Sequence, residues 1–321
     1  MENQMKAFRE IDCSALGSVS LREEMNNHGY VLLRNVLPRD ILTMLLRDIT
    51  SILHTAGWLH LDNDTSDRTA NPGTACADED SAYKEVYKQV FGLRSFHAIP
   101  HIPEVQRVMK LLVGKELLIH PKLVARLIFP NFERGIIHAH QDHSAVAGDP
   151  ESFTAWMPLH DCPEELGPLR ILDGSHRYGL QPTAGQTGYI PQGSERGGDW
   201  VGGAINAGDL LIFHSLTVHQ AAPNCSSQLR ISLDYRFQNY LRPVNPGALV
   251  FAGSGRRSWE KTYAHWPTDE LKYYWKALPL RLKPSKADLS ELARISESPE
   301  ARERYARILE RIDAEMPLLT T

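Results

Sequence analysis

The chain has 321 residues, of which 42% are hydrophobic and 23% are charged, the composition of an ordinary globular protein. Its formal net charge is −4 and no basic stripe is visible, which argues against a nucleic-acid binder. The four cysteines form no C-x-x-C pair, which disfavours a disulfide framework or a structural zinc site and fits a reducing cytoplasm. No signal-peptide core and no run of about 18 apolar residues is visible, so we expect a cytoplasmic protein without a membrane partner.

The first 115 or so residues are predicted to be mainly helical, with one early strand. Residues 29–33 are a short apolar run after a polar turn, and residues 41–52 have the apolar spacing of an amphipathic helix. Residues 62–80 are polar and rich in turn formers, which predicts a loop.

From about residue 116 the sequence changes to short strand-like runs broken by Gly and Pro. Several short strands at such spacing are typical of a sandwich or barrel of the jelly-roll or cupin kind. The runs are residues 123–129, 154–159, 169–172, 209–213 and 230–237. After Pro246 the chain becomes charged and helical again.

These patterns predict a mainly β fold with flanking helices and a double-stranded β-helix core of the jelly-roll or cupin kind. We expect a single domain over residues 1–321. Its parts are a helical N-terminal part to about 115, a β-helix core over about 116–240 and a helical C-terminal extension over about 255–321.

A candidate metal site begins in segment 137–143, Ile-His-Ala-His-Gln-Asp-His. Residues two apart in an extended strand face the same way, so His140 and Asp142 can bind one cation together. Two histidines and one carboxylate on one face of an octahedral metal leave three positions open, which suits Fe(II) with a co-substrate and O₂. The third ligand should be a histidine on a distant strand. The candidate is His219, which follows the apolar run that begins with Gly208.

Arg230 lies eleven residues beyond His219 and begins the next strand-like run. A dicarboxylate that chelates the metal at one end needs a cation for its far carboxylate, and Arg is suited to a bidentate grip. Arg230 and Ser232 share one face of that strand, while Ile231 and Leu233 share the other. The polar face is therefore predicted to point into the core.

The order of these motifs resembles the phytanoyl-CoA dioxygenase family of Fe(II)- and 2-oxoglutarate-dependent oxygenases. That family combines an H-x-D motif, a distal histidine after a G-D-x-x-x-F run, and an Arg about eleven residues later. The matching segments are HGYVLLRNV at 28–36, HQD at 140–142, WMPL at 156–159, GPL at 167–169, GSH at 174–176, GDLLIF at 208–213, His219, Asn224 and RIS at 230–232. The resemblance covers about residues 22–238.

The resemblance implies roles for particular side chains. It implies that Fe(II) is held by His140, Asp142 and His219. It also implies that Arg230 pairs with the distal carboxylate of 2-oxoglutarate, in a pocket lined by Trp156 and Ser232.

One departure from the family pattern and one further candidate concern the same pocket. Many members carry a small hydroxyl residue two positions after the distal histidine, where this chain has Ala221. A hydrogen bond to the co-substrate is then missing or is supplied elsewhere, for example by Ser232. Arg126, in an earlier strand-like run, is a candidate for binding the co-substrate or the substrate. A lone Arg in such a strand more often forms an ion pair.

The resemblance implies oxidation of a C–H bond, with 2-oxoglutarate and O₂ as co-substrates and succinate and CO₂ as products. Because halogenating relatives lack a carboxylate at the position of Asp142, hydroxylation or a related oxidation is favoured. No phosphate-binding motif or basic cluster indicates a coenzyme A ester, so a small secondary metabolite or amino-acid derivative is the preferred substrate. Residues 62–80 and 177–203 are expected to border the pocket.

Two alternatives use the same residues. Segment 138–143 also spells H-x-H-x-D-H, the metal signature of metallo-β-lactamase-like hydrolases, in which His138, His140, Asp142 and His143 would hold two zinc ions. The surroundings disfavour this, because no G-H-T-P-G-like turn follows. The other alternative is an inactive barrel that only binds a ligand, and the intact triad with Arg230 argues against it.

Overall fold

The computed structural model describes residues 5–13, 16–60, 65–184, 188–252 and 257–315. In this part of the chain the strands are β1 (Lys6–Ala7), β2 (Glu10–Asp12), β3 (Tyr30–Arg34), β4 (Leu117–Ile119), β5 (Val124–Ile128), β6 (Ser152–Pro158), β7 (Leu169–Leu172), β8 (Trp200–Gly202), β9 (Leu210–His214), β10 (His219–Ala221) and β11 (Arg230–Asn239).

The α-helices precede, interrupt and follow these strands. They are α1 (Ser18–His28), α2 (Arg39–Thr55), α3 (Ser81–Phe91), α4 (Arg94–Ala98), α5 (Pro103–Val113), α6 (Asp142–Val146), α7 (Gly247–Val250), α8 (Trp259–Tyr263), α9 (Lys286–Ile295) and α10 (Pro299–Glu315).

The strands form two sheets. The larger has the order β2-β3-β9-β6-β11-β4, with β5 also paired to β11, and the smaller has the order β1-β8-β7-β10. Most neighbours are antiparallel, whereas β1 with β8 and β2 with β3 are parallel. The predicted mainly β fold with flanking helices and a jelly-roll core is confirmed, although the sheets do not close into a barrel.

Alternating side chains in the larger sheet serve two separate apolar cores. In β3, Val31 and Leu33 pack with the helices, while Tyr30 and Leu32 belong to a cluster that also contains residues of the smaller sheet. This is what a period of two residues requires when both faces of a strand are covered. The space between the two sheets is therefore a second, smaller core, and the candidate metal residues border it.

Several predicted elements agree closely with the structure. The run at 169–172 is β7 and the run at 29–33 corresponds to β3, while the periodic stretch at 41–52 lies inside α2. Residues 65–80 hold only short 3₁₀ turns and isolated bridges, as predicted for a loop; residues 61–64 lie outside the described residues. Segment 185–187 of the second predicted loop also lies outside them.

Two local predictions need correction. The N-terminal part has two short strands besides the predicted β3, because β1 joins the smaller sheet and β2 joins the larger one. Segment 140–142 is not one regular strand either. His140 makes only isolated bridges, and Asp142 is the first residue of α6. Among the described helices, none has both the length and the apolar character needed to cross a bilayer.

Candidate metal centre

The two candidate histidine ligands face each other across a pair of backbone hydrogen bonds. The amide of His140 donates to the carbonyl of His219 at 3.0 Å, and the amide of His219 donates back to His140 at 3.0 Å. This is the closely bonded pair of an antiparallel ladder, and it brings the rings within 4.2 Å of each other, centroid to centroid. Residues distant in sequence thus become neighbours through main-chain pairing at the edge of β10.

Asp142 reaches the same place from α6. Its carboxylate and one ring nitrogen of each histidine lie within 4.8 Å of one another. Within the described residues, this is the one group of three or more His, Cys, Asp or Glu side chains with ligand atoms so close. The predicted triad is therefore assembled, although the turn into a helix at Asp142, and not a strand alternation, aims the carboxylate.

Both histidine rings are fixed in the tautomer that a metal requires. Nδ1 of His140 lies 2.8 Å from the carbonyl oxygen of His138, and Nδ1 of His219 lies 3.0 Å from that of Thr217. A carbonyl only accepts, so each Nδ1 carries the hydrogen and each Nε2 keeps its lone pair. Two such nitrogens and a carboxylate oxygen are the donor set of a facial-triad Fe(II) site. The residues present therefore fit the metal.

The charge states of the three side chains also suit a cation. Burial, followed by the nearby His219, lowers the pKa of His140 to about 3, and burial also lowers the pKa of His219. Burial alone would raise the pKa of Asp142. The charge of Arg236, together with the two histidines, outweighs burial and holds that pKa well below its usual range. At neutral pH the site therefore offers two neutral imidazoles and one carboxylate.

The groups that hold Asp142 were not predicted from the sequence. Nη2 of Arg236 donates to Oδ1 of Asp142 at 2.9 Å and Nε donates to Oδ2 at 3.3 Å, while the hydroxyl of Thr154 also donates to Oδ2. Oδ2 is thus engaged twice and Oδ1 once. The alternation along β11 that placed Arg230 and Ser232 inward could have revealed Arg236, because it lies on the same face.

Arg230 is fully buried beside the triad. Its Nη1 donates to the carbonyl oxygen of Gly167, but its Nε and Nη2 have no partner. No carboxylate pairs with it among the described residues. A buried guanidinium without a counter-charge is costly to a fold, so this arrangement indicates an anionic ligand. The residue type, its depth and its free donors all fit the distal carboxylate of 2-oxoglutarate.

Trp156 borders one cavity together with the triad and Arg230, whereas Ser232, two residues after Arg230 on β11, does not line that cavity. Trp156 is 1% exposed and its indole Nε1 has no partner, and the hydroxyl of fully buried Ser232 has none either. In the sheet Trp156 is paired with Asp234, two residues along β11 from Ser232. Two unpartnered polar groups near Arg230 are further donors for a ligand between the sheets.

Arg126 forms the ion pair that a lone Arg in a strand commonly forms. Its Nε donates to Oδ2 of Asp234 at 3.0 Å, and 28% of its side chain remains exposed. It nevertheless borders the metal cavity, so its predicted contact with a ligand stays a prediction.

One cavity joins these features. It measures about 10 Å³, and its lining consists of Arg126, Ile137, His140, Asp142, Trp156, Leu169, Phe213, His219, Arg230 and Asp234. The candidate metal ligands and the guanidinium of Arg230 therefore line one cavity.

The other two histidines of the H-x-H-x-D-H string lie outside the cluster. His138 is exposed, and its ring packs against that of Tyr189 at 5.3 Å. His143 follows Asp142 in α6, and its Nδ1 is buried without a partner. Neither belongs to the triad found among the described residues. The geometry thus offers one metal position there, and not the two of a dinuclear hydrolase.

Known proteins resemble this chain over most of its length. A family model described as phytanoyl-CoA dioxygenase matches residues 25–232. The 1-deoxypentalenic acid 11-beta-hydroxylase of Streptomyces arenae is 24% identical over 253 residues, which are 71% of this chain and 84% of that protein. A phytanoyl-CoA dioxygenase of Arabidopsis thaliana is 35% identical over 102 residues, 30% of this chain and 36% of that protein.

A solved structure shares the fold. The crystal structure of the epimerase SnoN in complex with Fe³⁺, alpha ketoglutarate and nogalamycin RO aligns with a TM-score of 0.52 and 22% identity, covering 71% of this chain and 85% of that chain. The family model covers well over half of the chain, and the motifs inside it are those of the metal cavity. The chain belongs to the phytanoyl-CoA dioxygenase family and is an Fe(II)- and 2-oxoglutarate-dependent oxygenase that uses O₂.

Proposed function

We propose that this oxygenase hydroxylates an unactivated C–H bond of a small molecule at Fe(II) held by His140, Asp142 and His219. We further propose that Arg230 binds the distal carboxylate of 2-oxoglutarate. The observation that carries both assignments is the shared cavity, which the three ligands border together with a fully buried guanidinium that has two unpartnered nitrogens.

The protein's own part in this reaction is to bind and orient. Main-chain carbonyls fix the rings of His140 and His219, and Arg236 with Thr154 fixes the carboxylate of Asp142. An Fe(II) held by these residues would supply the oxidant from 2-oxoglutarate and O₂, with one oxygen atom going to succinate as CO₂ leaves and the other to the substrate C–H bond.

Trp156 and Ser232 are proposed to line the 2-oxoglutarate pocket. Each has a buried donor without a partner, and both lie on the strands that carry the site. A carboxylate on Arg230 would give such donors an acceptor, which removes the cost of burying them unpaired. Ala221 is buried in the core between the sheets and adds no hydroxyl there, so Ser232 is the candidate to replace it.

Hydroxylation of a small molecule is the preferred outcome for two reasons. The intact carboxylate of Asp142 occupies the position where halogenating enzymes bind chloride. The most extensive relative described above is named as a hydroxylase of 1-deoxypentalenic acid, and the aligned epimerase structure contains a nogalamycin derivative. Both names describe small natural products.

We also propose that the chain functions as one oxygenase domain. Strands β1 to β3 of the N-terminal part belong to the two sheets, and Trp259, Trp275 and Leu289 of the C-terminal part pack in the main core cluster. Neither end has a separate core in the described residues.

Metal analysis and oxygen dependence test the proposal directly. We expect one Fe(II) per chain and succinate formation that requires both O₂ and 2-oxoglutarate. Arg230→Ala should weaken 2-oxoglutarate far more than iron, because losing one partner of a desolvated charge pair costs on the order of 2–5 kcal/mol. Arg242→Ala, which removes a half-exposed Arg paired with Asp149, is the control. An unchanged half-saturating 2-oxoglutarate concentration in Arg230→Ala would show that another cation binds it.

A further inference from the structure

Arg126 has a part of its guanidinium that the fold leaves unused. Within the described residues its side chain makes one hydrogen bond, from Nε to Oδ2 of Asp234 at 3.0 Å. Asp234 therefore binds the Nε edge of the guanidinium, while the Nη1 and Nη2 end makes no hydrogen bond within the described residues. That end is a fork that matches a carboxylate with two parallel hydrogen bonds.

The position of Arg126 differs from that of Arg230. Arg230 is fully buried, whereas 28% of the Arg126 side chain meets solvent although it borders the same cavity as His140 and Asp142. Arg126 lies on β5 opposite Ser232 of β11, so it shares the inner face with the triad. It is thus the cation placed between the metal residues and the outside, where a substrate must approach.

The charges around the cavity do not balance without a further anion. The carboxylates of Asp142 and Asp234 are accompanied by three guanidinium groups, those of Arg126, Arg230 and Arg236. Fe(II) adds two positive charges and 2-oxoglutarate adds two negative ones, so the loaded site retains one positive charge. A confined surplus charge is costly, and a monoanion placed against it would remove that cost.

Other charges near the entrance do not cancel this surplus. Asp78 and Glu79 are close enough to influence Tyr189 beside Arg126, but both are exposed. Water and dissolved ions screen exposed charges strongly. The partly exposed guanidinium of Arg126 is therefore the place where an anion gains most.

We infer that the primary substrate is a monocarboxylate, and that the free end of Arg126 binds its carboxylate and so presents a C–H bond to the metal. This inference rests on the proposed function, because it takes the triad and Arg230 as the iron and 2-oxoglutarate sites. It assigns Arg126 to the substrate and not to the co-substrate. Asp234 is then a positioning residue that holds Nε and turns the other edge outward.

Binding can be measured without turnover. Protein loaded with Mn(II) and 2-oxoglutarate would be mixed with cyclohexanecarboxylate, octanoate or indole-3-acetate, each compared with its primary amide. Mn(II) is paramagnetic, so protons of a probe bound beside it relax faster. For at least one carboxylate probe we expect faster proton relaxation, which the other carboxylates reverse by competing for the site. The corresponding amide should show no faster relaxation. Equal effects on acids and amides, including no effect on either, would overturn the inference.

Variants distinguish a direct contact between Arg126 and the carboxylate from a general effect of positive charge. Arg126→Gln should weaken the bound carboxylate by about 10- to 100-fold, and Arg126→Lys should recover only part of it, since a point charge lacks the fork. Arg126→Gln combined with Asp234→Asn avoids an unpaired buried carboxylate and should behave like Arg126→Gln. Arg242→Gln should change nothing. Undiminished carboxylate binding in the double variant would refute the role of Arg126.

One more measurement tests the iron and 2-oxoglutarate site separately from the carboxylate substrate. Anaerobic Fe(II) with 2-oxoglutarate gives a charge-transfer absorption band, which we expect in the wild type and in every Arg126 variant. A band with no preference for carboxylates would remove only the substrate inference. No band in the wild type would remove the proposed site and the inference with it.

Discussion

Replacing Arg236 by Met should destabilise the metal-free protein far more than the metal-loaded one. Arg236 is 9% exposed and Asp142 is 4% exposed, so the substitution leaves a carboxylate that is buried and without its counter-charge. Breaking a buried pair in this way costs about 3–5 kcal/mol. At about 2 °C per kcal/mol for a domain of this size, the melting temperature should fall by about 6–10 °C. A divalent cation on Asp142 replaces the missing charge, so binding it should restore part of the loss.

Thermal unfolding followed by circular dichroism, with chelator or with saturating Ni(II), measures this. The pH dependence of the variant's stability provides a second test. In the variant, burial is no longer opposed by Arg236, so the pKa of folded Asp142 lies above its unfolded value. Between those two values the folded state binds the extra proton, and stability falls as pH rises. The loss relative to wild type should therefore be larger at pH 8 than at pH 5.

Arg34→Met is the matched control. Arg34 pairs at 2.6 Å with the buried Asp209, away from the metal residues, so its loss should be the same with and without metal. The role of Arg236 is refuted if metal-free Arg236→Met is as stable as wild type, or if metal restores the stability of both variants equally.

Three further results are expected. Asp142→Ala should lose iron and succinate formation, whereas His143→Ala should keep both; anaerobic Fe(II) titration compares them, and the opposite order would move the ligand. Unfolding free energy from urea titrations should fall as pH drops from about 6.5 to about 4, because buried histidines such as His97, with a pKa of about 4, stay neutral when folded and protonate when unfolded; a flat profile would contradict this. Ala221→Ser should lower the half-saturating 2-oxoglutarate concentration a few-fold, by adding a donor near Arg230, and an increase would show that the hydroxyl points elsewhere.

The parts of the site carried by sequence-local patterns were predictable. Alternation along β11 predicted that Arg230 and Ser232 lie on the inner face. The spacing from His219 to Arg230 predicted one shared site, and these two residues do line one cavity. The same alternation continues through Asp234 and Arg236, but a position on the inner face does not identify the partner of an ion pair. An ion pair between β11 and α6 depends on tertiary packing, which no periodicity encodes.

The backbone conformation at the H-x-D motif could not be predicted from the sequence either. Short polar segments such as Gln141–Asp142–His143 have no decisive local preference. Here a helix begins at Asp142, and the amide of His143 donates to the carbonyl of Ser215 on a distant segment. The short strands β1 and β2 are similar, since two or three residues carry too little pattern to predict a strand.

The cross-strand pairing of His140 with His219 has a consequence for how the enzyme acquires its metal. The ligands come together only after β10 has joined its neighbour, so an unfolded chain offers no high-affinity site and cannot nucleate around the ion as a zinc finger does. Folding therefore precedes metal binding, and the folded protein has a preformed site that can bind any of several divalent ions. Since Ni(II), Cu(II) and Zn(II) bind nitrogen and oxygen ligands more tightly than Fe(II), the supply of free ions in the cell decides how much of the enzyme is active.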